Sequence, residues 1–235
     1  MKYLWATATH QGMVRQNNED SMYPEASGES HGTTTLVVAD GMGGHVAGEV
    51  ASRLAVNAAA STEVPPTDRV AAGNRAIREE VARDPSLEGM GTTMTLVSLT
   101  EDGTATVAHV GDSRAYLLRN GELRQLTEDH TVAAEYVAQG KISAKEAASH
   151  PQRHMLTRTL GLTRFVNVDE IEIPLSPSDR LLLCSDGLNE MVDDDDIANV
   201  LGGPAVDDVA WALVEKANAA GGVDNVTVIV VDALD

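Results

Sequence analysis

Aromatic residues make up 3% of the chain, with a single phenylalanine, so any core has to be built from aliphatic side chains. There is one cysteine, Cys184. That excludes an intramolecular disulfide framework and suits a reducing compartment. Basic residues are also scarce: 17 Lys and Arg stand against 36 Asp and Glu, a net charge of −19. A polyanion of this kind is repelled by nucleic acid and by anionic membranes, so neither is expected as a partner. Apolar runs are short, and none approaches the roughly 18 residues of a membrane span. The N-terminal MKYLWATATHQG has no continuous apolar stretch of the kind a signal peptide needs. A cytoplasmic protein is the expectation.

What is present is an ordinary globular composition, 43% apolar and 23% charged over 235 residues. No repeat, low-complexity tract or linker interrupts it, so one domain over 1–235 is expected. Strands are predicted at 4–9, 34–39, 92–98, 104–110, 113–119, 180–184 and 225–232, where Val, Leu, Thr and Ile cluster between Gly, Asp or Asn. Asn120-Gly121 predicts a tight hairpin, and Gly111-Asp112 a second one joining 104–110 to 113–119. Helices are expected at 47–60, 69–83, 132–138, 144–149 and 205–219, with Asp68 as the cap of the second and a short turn after Asp193. Antiparallel strands with amphipathic helices imply an α+β arrangement of sheets covered by helices, not a doubly wound parallel sheet.

The acids at strand ends carry the functional signal. Asp40 follows TLVVA, Asp186 follows RLLLCS, Asp112 ends ATVAHVG, Asp224 precedes NVTVIVV and Asp20 ends RQNNED. Carboxylates brought together at the ends of buried strands need a cation, and hard Mg²⁺ or Mn²⁺ suits all-oxygen ligands. A lone aspartate at a turn is ordinary loop chemistry, and spacing by itself does not bring these five together. Asp112, beside the expected turn, should be more exposed than Asp40 and Asp186. Glycine in DGMGGH, Asp40 to His45, lets backbone approach an ion, so the Gly41 carbonyl is a further candidate ligand. The phosphate-loop ending GK[ST] is absent. Arg15 has the fork that phosphate binding wants, and is equally suited to a surface ion pair. The run Asp193–Asp196 lacks the spacing of a calcium loop and is expected to cap a helix.

Taken together, these motifs resemble the metal-dependent serine/threonine protein phosphatases, the PPM or type 2C family, in their compact bacterial form. The resemblance is collinear. It runs through Gly12-Met13-Val14-Arg15, Asn18-Glu19-Asp20, Asp40-Gly41-Met42-Gly43-Gly44-His45, Gly91-Thr92-Thr93, Val110-Gly111-Asp112-Ser113-Arg114 and Thr127-Glu128-Asp129-His130. It continues through His150-Pro151, Leu156-Thr157-Arg158-Thr159-Leu160-Gly161, Cys184-Ser185-Asp186-Gly187-Leu188 and Asp224-Asn225-Val226-Thr227. It implies a four-layer α-β-β-α sandwich and hydrolysis of phosphoserine and phosphothreonine on proteins by a metal-activated water. It also implies two tight Mn²⁺ or Mg²⁺ sites: Asp40 between the ions, Asp20 and the Gly41 carbonyl on one, Asp186 and Asp224 on the other. A third, weaker ion falls to Asp112 with Asp186. Arg15 would bind the substrate phosphate, while Glu19 and Asn225 would support the ligands.

The resemblance further implies a flap at about 130–156, with Lys141, Arg153 and His154 as candidate phosphopeptide contacts, a monomer, and an opposing Ser/Thr kinase among the substrates. One position departs from the pattern. Animal members carry a histidine two residues after the bridging aspartate as the proposed acid for the leaving alcohol, and here Met42 stands there. A thioether donates no proton, and the role is not transferred to His45. That leaves water at the ions as the proton source. Cys184 has no CxxxxxR loop and is expected to be inert core. A non-catalytic phosphoprotein-binding relative and a structural metal-binding domain would share this fold, and metal-dependent turnover separates both from an enzyme.

Overall fold

A strand that is apolar at consecutive positions has to be covered on both faces, and the central strands here are used that way. The computed structural model describes residues 1–43 and 46–235, apart from the Val46 side chain. Gly44 and His45 of the DGMGGH motif lie outside the described residues. With strands numbered in chain order, one sheet runs β3 (Gly28–Ser30), β1 (Lys2–His10), β12 (Val226–Leu234), β11 (Arg180–Cys184), β8 (Arg114–Arg119), β9 (Glu122–Gln125). The other runs β10 (Asp169–Pro174), β7 (Thr104–Val110), β6 (Met94–Leu99), β4 (Thr34–Met42), β2 (Asp20–Tyr23), and β5 (Gly91–Thr92) pairs with the end of β4. Every pairing is antiparallel.

Helices α1 (Val46–Ala60) and α2 (Pro66–Arg83) cover the second sheet. Helices α6 (Asp194–Leu201) and α7 (Val206–Ala219) cover the first. Two short helices, α3 (Val132–Ala138) and α4 (Ala144–Ala147), lie between β9 and β10, and α5 (Asp186–Asn189) follows β11. The layers follow from the pleat, which sends successive side chains to opposite faces. Leu36 and Val38 of β4 point between the sheets, with Leu181, Leu183, Ile229 and Val231 opposite them. Val37 and Ala39 point outward onto α1 and α2 with Ala51, Ala55 and Ile77. Val226, Val228 and Val230 of β12 face outward onto Leu213 and Val214 of α7. Each fully buried Leu, Ile or Val contributes about 1.5–3 kcal/mol. The expected four-layer α-β-β-α sandwich is what the chain forms.

Two local expectations are corrected. Gly111-Asp112 does not turn a hairpin: β7 belongs to one sheet and β8 to the other, so the Gly111–Ser113 link crosses the sandwich. Asp68 is not a cap, since α2 starts at Pro66 with Pro65 in the capping position and Asp68 in its first turn. The Asn120-Gly121 hairpin is present, with both residues at positive φ (54° and 80°), as a tight right-twisted turn requires. Asp193 caps α6 by accepting from the Asp196 N–H at 2.9 Å, and that helix is longer than the turn expected there.

Candidate metal centre

The strand ends deliver the five aspartates to one edge of the sandwich. In the β2–β4 pair Asp20 lies directly opposite Asp40. Asp186 starts α5 with only Ser185 between it and β11, Asp224 is separated from β12 by Asn225 alone, and β11 pairs with β12. Ser185 joins the two sheets there. Its hydroxyl donates to Asp20 Oδ2 at 2.7 Å and accepts from the Thr227 N–H at 3.0 Å. Asp112 comes in on the crossing link.

The carboxyls feel one another strongly. Burial first, then the charges of Asp20, Asp186, Asp112 and Asp224, hold the Asp40 carboxyl well above the usual range. Burial lifts Asp20 to about 7 although hydrogen bonds from Thr227 and Ser185 work the other way. Burial also lifts Asp186 to about 7, with Glu190 and Asp224 adding to it. Asp112 is raised by burial and by Asp186. Two buried oxygens, Asp20 Oδ1 and Asp186 Oδ1, have no hydrogen-bond partner. A buried carboxylate oxygen left unpaired is costly. An all-oxygen set of like charges with lone pairs to spare fits hard divalent cations such as Mg²⁺ and Mn²⁺. Gly41 lies where only glycine fits: a Cβ there would be 2.2 Å from the Gly48 carbonyl oxygen and 2.6 Å from that of Glu19. The β4 backbone can therefore run hard against α1 beside the acids.

Positioning groups surround the cluster. Arg15 Nη2 donates to Asp224 Oδ2 at 2.5 Å, with the arginine side chain 53% exposed. Partial burial lowers the guanidinium's proton affinity, but Asp224, Glu19 and Asp40 outweigh it and raise it overall. Asn225 is satisfied on three bonds. Its amide donates to the Gln11 and Asn17 carbonyls at 2.9 and 2.8 Å and accepts from the Glu19 N–H at 2.8 Å, clamping the loop that carries Arg15. The Glu19 carbonyl accepts from the Gly41 N–H at 3.1 Å and the Ser52 hydroxyl at 2.6 Å. Thr93 was only one letter of a motif in the sequence. Its hydroxyl accepts from the Asp40 N–H at 2.9 Å and meets the Ser113 hydroxyl at 2.7 Å, linking the strand end of Asp40 to the crossing that holds Asp112. The paired Thr92-Thr93 ahead of the MTLVSL strand was the available signal.

Asp112 is not more exposed than Asp40 and Asp186. It is 8% exposed, whereas Asp40 and Asp186 keep an open strip at the mouth, because the crossing lies under the edge of the sandwich. Glu190, which no sequence pattern singled out, stands beside Asp186, and burial raises its carboxyl. His154 pairs through Nδ1 with Glu190. Together His154, Asp186 and Glu190 present ligand atoms within 4.8 Å of one another. Of the other two flap candidates, Lys141 lies over the Tyr136 ring at 4.9 Å and Arg153 is exposed. Cys184 is buried, and burial pushes its thiol up to about 12, as an inert core cysteine requires.

A family model described as protein phosphatase 2C matches residues 9–210. The chain belongs to the protein phosphatase 2C family. Within this family it is 44% identical over 245 residues to the serine/threonine protein phosphatase PstP of Mycobacterium tuberculosis, covering 98% of this chain and 45% of that protein. It is 37% identical over 238 residues to the serine/threonine phosphatase stp of Listeria monocytogenes, covering 95% of this chain and 93% of that one. The chain thus spans under half of the mycobacterial relative and nearly all of the listerial one. Among solved structures, the catalytic domain of PstP in complex with two manganese ions has a TM-score of 0.88 at 40% identity, each chain covered fully. No helix among the described residues of this phosphatase-family chain is long and apolar enough to cross a membrane.

Proposed function

We propose that the chain is a metal-dependent protein serine/threonine phosphatase that hydrolyses phosphoserine and phosphothreonine esters. The observation that carries this reading is the convergence of five aspartates, two with orphaned buried oxygens, beside the half-exposed Arg15. Asp20, Asp40 and the Gly41 carbonyl would hold one ion, and Asp40, Asp186 and Asp224 the second. When bound, the ions supply positive charge against the phosphoryl oxygens and a water acidic enough to serve as nucleophile near neutral pH.

The chain's own residues do the rest. Arg15 receives the phosphate with N–H groups beyond the one engaged by Asp224 and turns the ester for in-line attack. Asn225 keeps the Arg15 loop in place, and Glu19 supports the cradle between β4 and α1. Met42 offers no proton, so the leaving oxygen takes one from water. A third, weaker ion belongs to Asp112 with Asp186. The adjacent His154 imidazole and Glu190 carboxylate favour manganese over magnesium there.

The reading extends to a single domain over 1–235, a monomer, a cytoplasmic place, and an opposing Ser/Thr kinase among the phosphoprotein substrates. It includes a flap at 130–156. That segment is pinned at its base, where the Val132 N–H donates to the Met155 carbonyl at 2.9 Å and the Thr157 N–H to the His130 carbonyl at 2.8 Å, so it departs and returns as one unit. Hydrolysis of p-nitrophenyl phosphate and of a phosphothreonine peptide, with Mn²⁺ and after chelation, tests the activity. Turnover that needs metal in the wild type and is lost in Asp40→Asn is expected. Wild-type turnover in Asp40→Asn, or turnover indifferent to chelation, would overturn the binuclear reading.

A further inference from the structure

Most arginines in this acidic chain are neutralised where they stand. Arg114, Arg119, Arg158 and Arg180 are each held by an aspartate within 2.6 Å, and Arg15, Arg53 and Arg83 also have carboxylate partners. Arg75, Arg78 and Arg164 are exposed and have no ion-pair partner among the described residues. All three line one groove of about 520 Å³ between α2 and the loop that leads into β10. The only phenylalanine of the chain, Phe165, lines it too and is 82% exposed, with the Arg164 guanidinium over its ring at 5.3 Å. One acid, Glu79, lines the groove, and it leans toward Arg83 at 3.8 Å.

The groove is built in advance. Asn74 of α2, 2% exposed, accepts from the Gly161 N–H at 2.7 Å and donates to the Thr163 carbonyl at 3.1 Å and the Arg164 carbonyl at 3.4 Å. A single buried amide thus fixes the far wall against the helix. The same loop starts at the metal centre. Leu160 exchanges two backbone hydrogen bonds with Thr92, at 3.2 and 2.9 Å, and Thr92 pairs with Gly41. From Gly41 to Arg164 the route is two strand spacings and four residues, at most about 24 Å. Leu162, 52% exposed, lies along it.

We infer that this groove docks an acidic segment of the phosphoprotein substrate, carrying an apolar side chain for Phe165 and lying within about seven residues of the phosphorylated Ser or Thr. Charge complementarity argues for that occupant. On a surface of net charge −19 an acidic peptide is repelled over most of its area, and three guanidiniums without ion-pair partners, gathered in one groove beside an exposed ring, give it a place to rest. The inference rests on the phosphatase reading for its substrate, and the test separates the two.

Two phosphothreonine peptides are compared, one with a Glu/Asp-rich, Leu-containing stretch five to seven residues from the phosphate and one with Ser and Gly in its place. The wild type is expected to favour the acidic peptide about five- to tenfold in kcat/KM, through KM, with the preference fading as salt screens it. Arg75→Glu/Arg78→Glu and, separately, Phe165→Ala should erase the preference and leave p-nitrophenyl phosphate turnover unchanged. Fluorescence anisotropy of the unphosphorylated acidic peptide reads the groove without any catalysis, so an inactive wild type would sink the phosphatase reading while binding still decides this one. Equal use of both peptides by the wild type, a preference that survives charge reversal, or tighter capture of a single-stranded oligonucleotide than of the acidic peptide would overturn the inference.

Discussion

Arg15 and Asp224 share a 2.5 Å bond, and that bond gives the arginine two opposing effects. Its fork attracts the phosphate, while its charge occupies a carboxylate that would otherwise serve an ion. Arg15→Lys keeps the charge and loses the planar fork. Losing a charge-assisted bond in a partly dry site costs about 1.5–3 kcal/mol, roughly 10- to 150-fold in kcat/KM. KM for p-nitrophenyl phosphate should rise several-fold in Arg15→Lys and Arg15→Ala, and kcat should fall as well. Arg15→Ala also unpairs Asp224, so Mn²⁺ titrated calorimetrically should bind more tightly, not less. Unchanged kinetics and unchanged affinity would make Arg15 a surface ion-pair residue. Asn225 acts without touching substrate. Asn225→Ala strands the Glu19 N–H and two loop carbonyls, and about 1–3 kcal/mol of stability should go with them. Denaturant unfolding would measure that loss. If the clamp matters for Arg15, KM rises with it, and a stable variant with unaltered KM would show the loop needs no clamp.

Among the elements, the crossing from β7 to β8 was the least legible in the sequence. Two strands three residues apart read as a hairpin, yet hairpin partners share a sheet and these do not. What sends the chain across is Gly111, at φ +113°, where a Cβ would lie 2.5 Å from the Thr93 Cβ, together with His130. The His130 backbone N–H donates to the Gly111 carbonyl at 2.8 Å, and the Gly111 N–H donates to His130 Nδ1 at 3.0 Å. Those are tertiary facts, invisible to periodicity. The apolar strands β4, β6, β7, β11 and β12 were legible because burial on both faces leaves a continuous run. The acids at their ends were legible because each breaks such a run. The edge strand β10, DEIEIP, was not, because an edge keeps its charges and only Ile171 and Ile173 turn inward. β2 was hidden by its polar residues.

The crossing also has a pH signature. His109 on β7 is buried against His130, its ring Nδ1 2.9 Å from the Thr95 hydroxyl and Nε2 3.1 Å from the Glu128 carbonyl. Burial first, then the charge of His130, lowers it from 6.5 to about 4, against Asp129 and Asp169. Between those values the unfolded chain takes the proton and the folded one does not. Stability from this residue is full above about 6.5 and is lost toward about 4, by about 1.4 kcal/mol per pH unit. The raised carboxyls of Asp20 and Asp186 take up protons in the folded state over the same range and work the other way. Denaturant unfolding from pH 7 down to 4.5 is therefore read as the difference between wild type and His109→Gln, which should slope by one proton. An identical slope in the variant would refute the assignment.

At the scale of the molecule, three aliphatic layers keep the sandwich rigid while its edge gathers five mutually repelling carboxylates. Stability and site are therefore opposed. Without a cation the folded state holds like charges together that the unfolded chain keeps apart, so divalent metal should act as a folding ligand, worth about 4 kcal/mol per ion at a thousandfold excess over Kd. In a chain of this size each kcal/mol shifts Tm by roughly 2–4 °C. Saturating Mn²⁺ should accordingly raise Tm by about 10 °C or more, and chelation should reverse it. Asp40→Asn removes the charge that every other acid faces and keeps the volume, so in chelator it should melt above the wild type and gain little from Mn²⁺. Scanning calorimetry of both proteins with and without Mn²⁺ would read this directly. A variant that melts lower than the wild type in chelator would mean that Asp40 stabilises the fold through its own hydrogen bonds, and that the edge carries no stored repulsion for an ion to relieve.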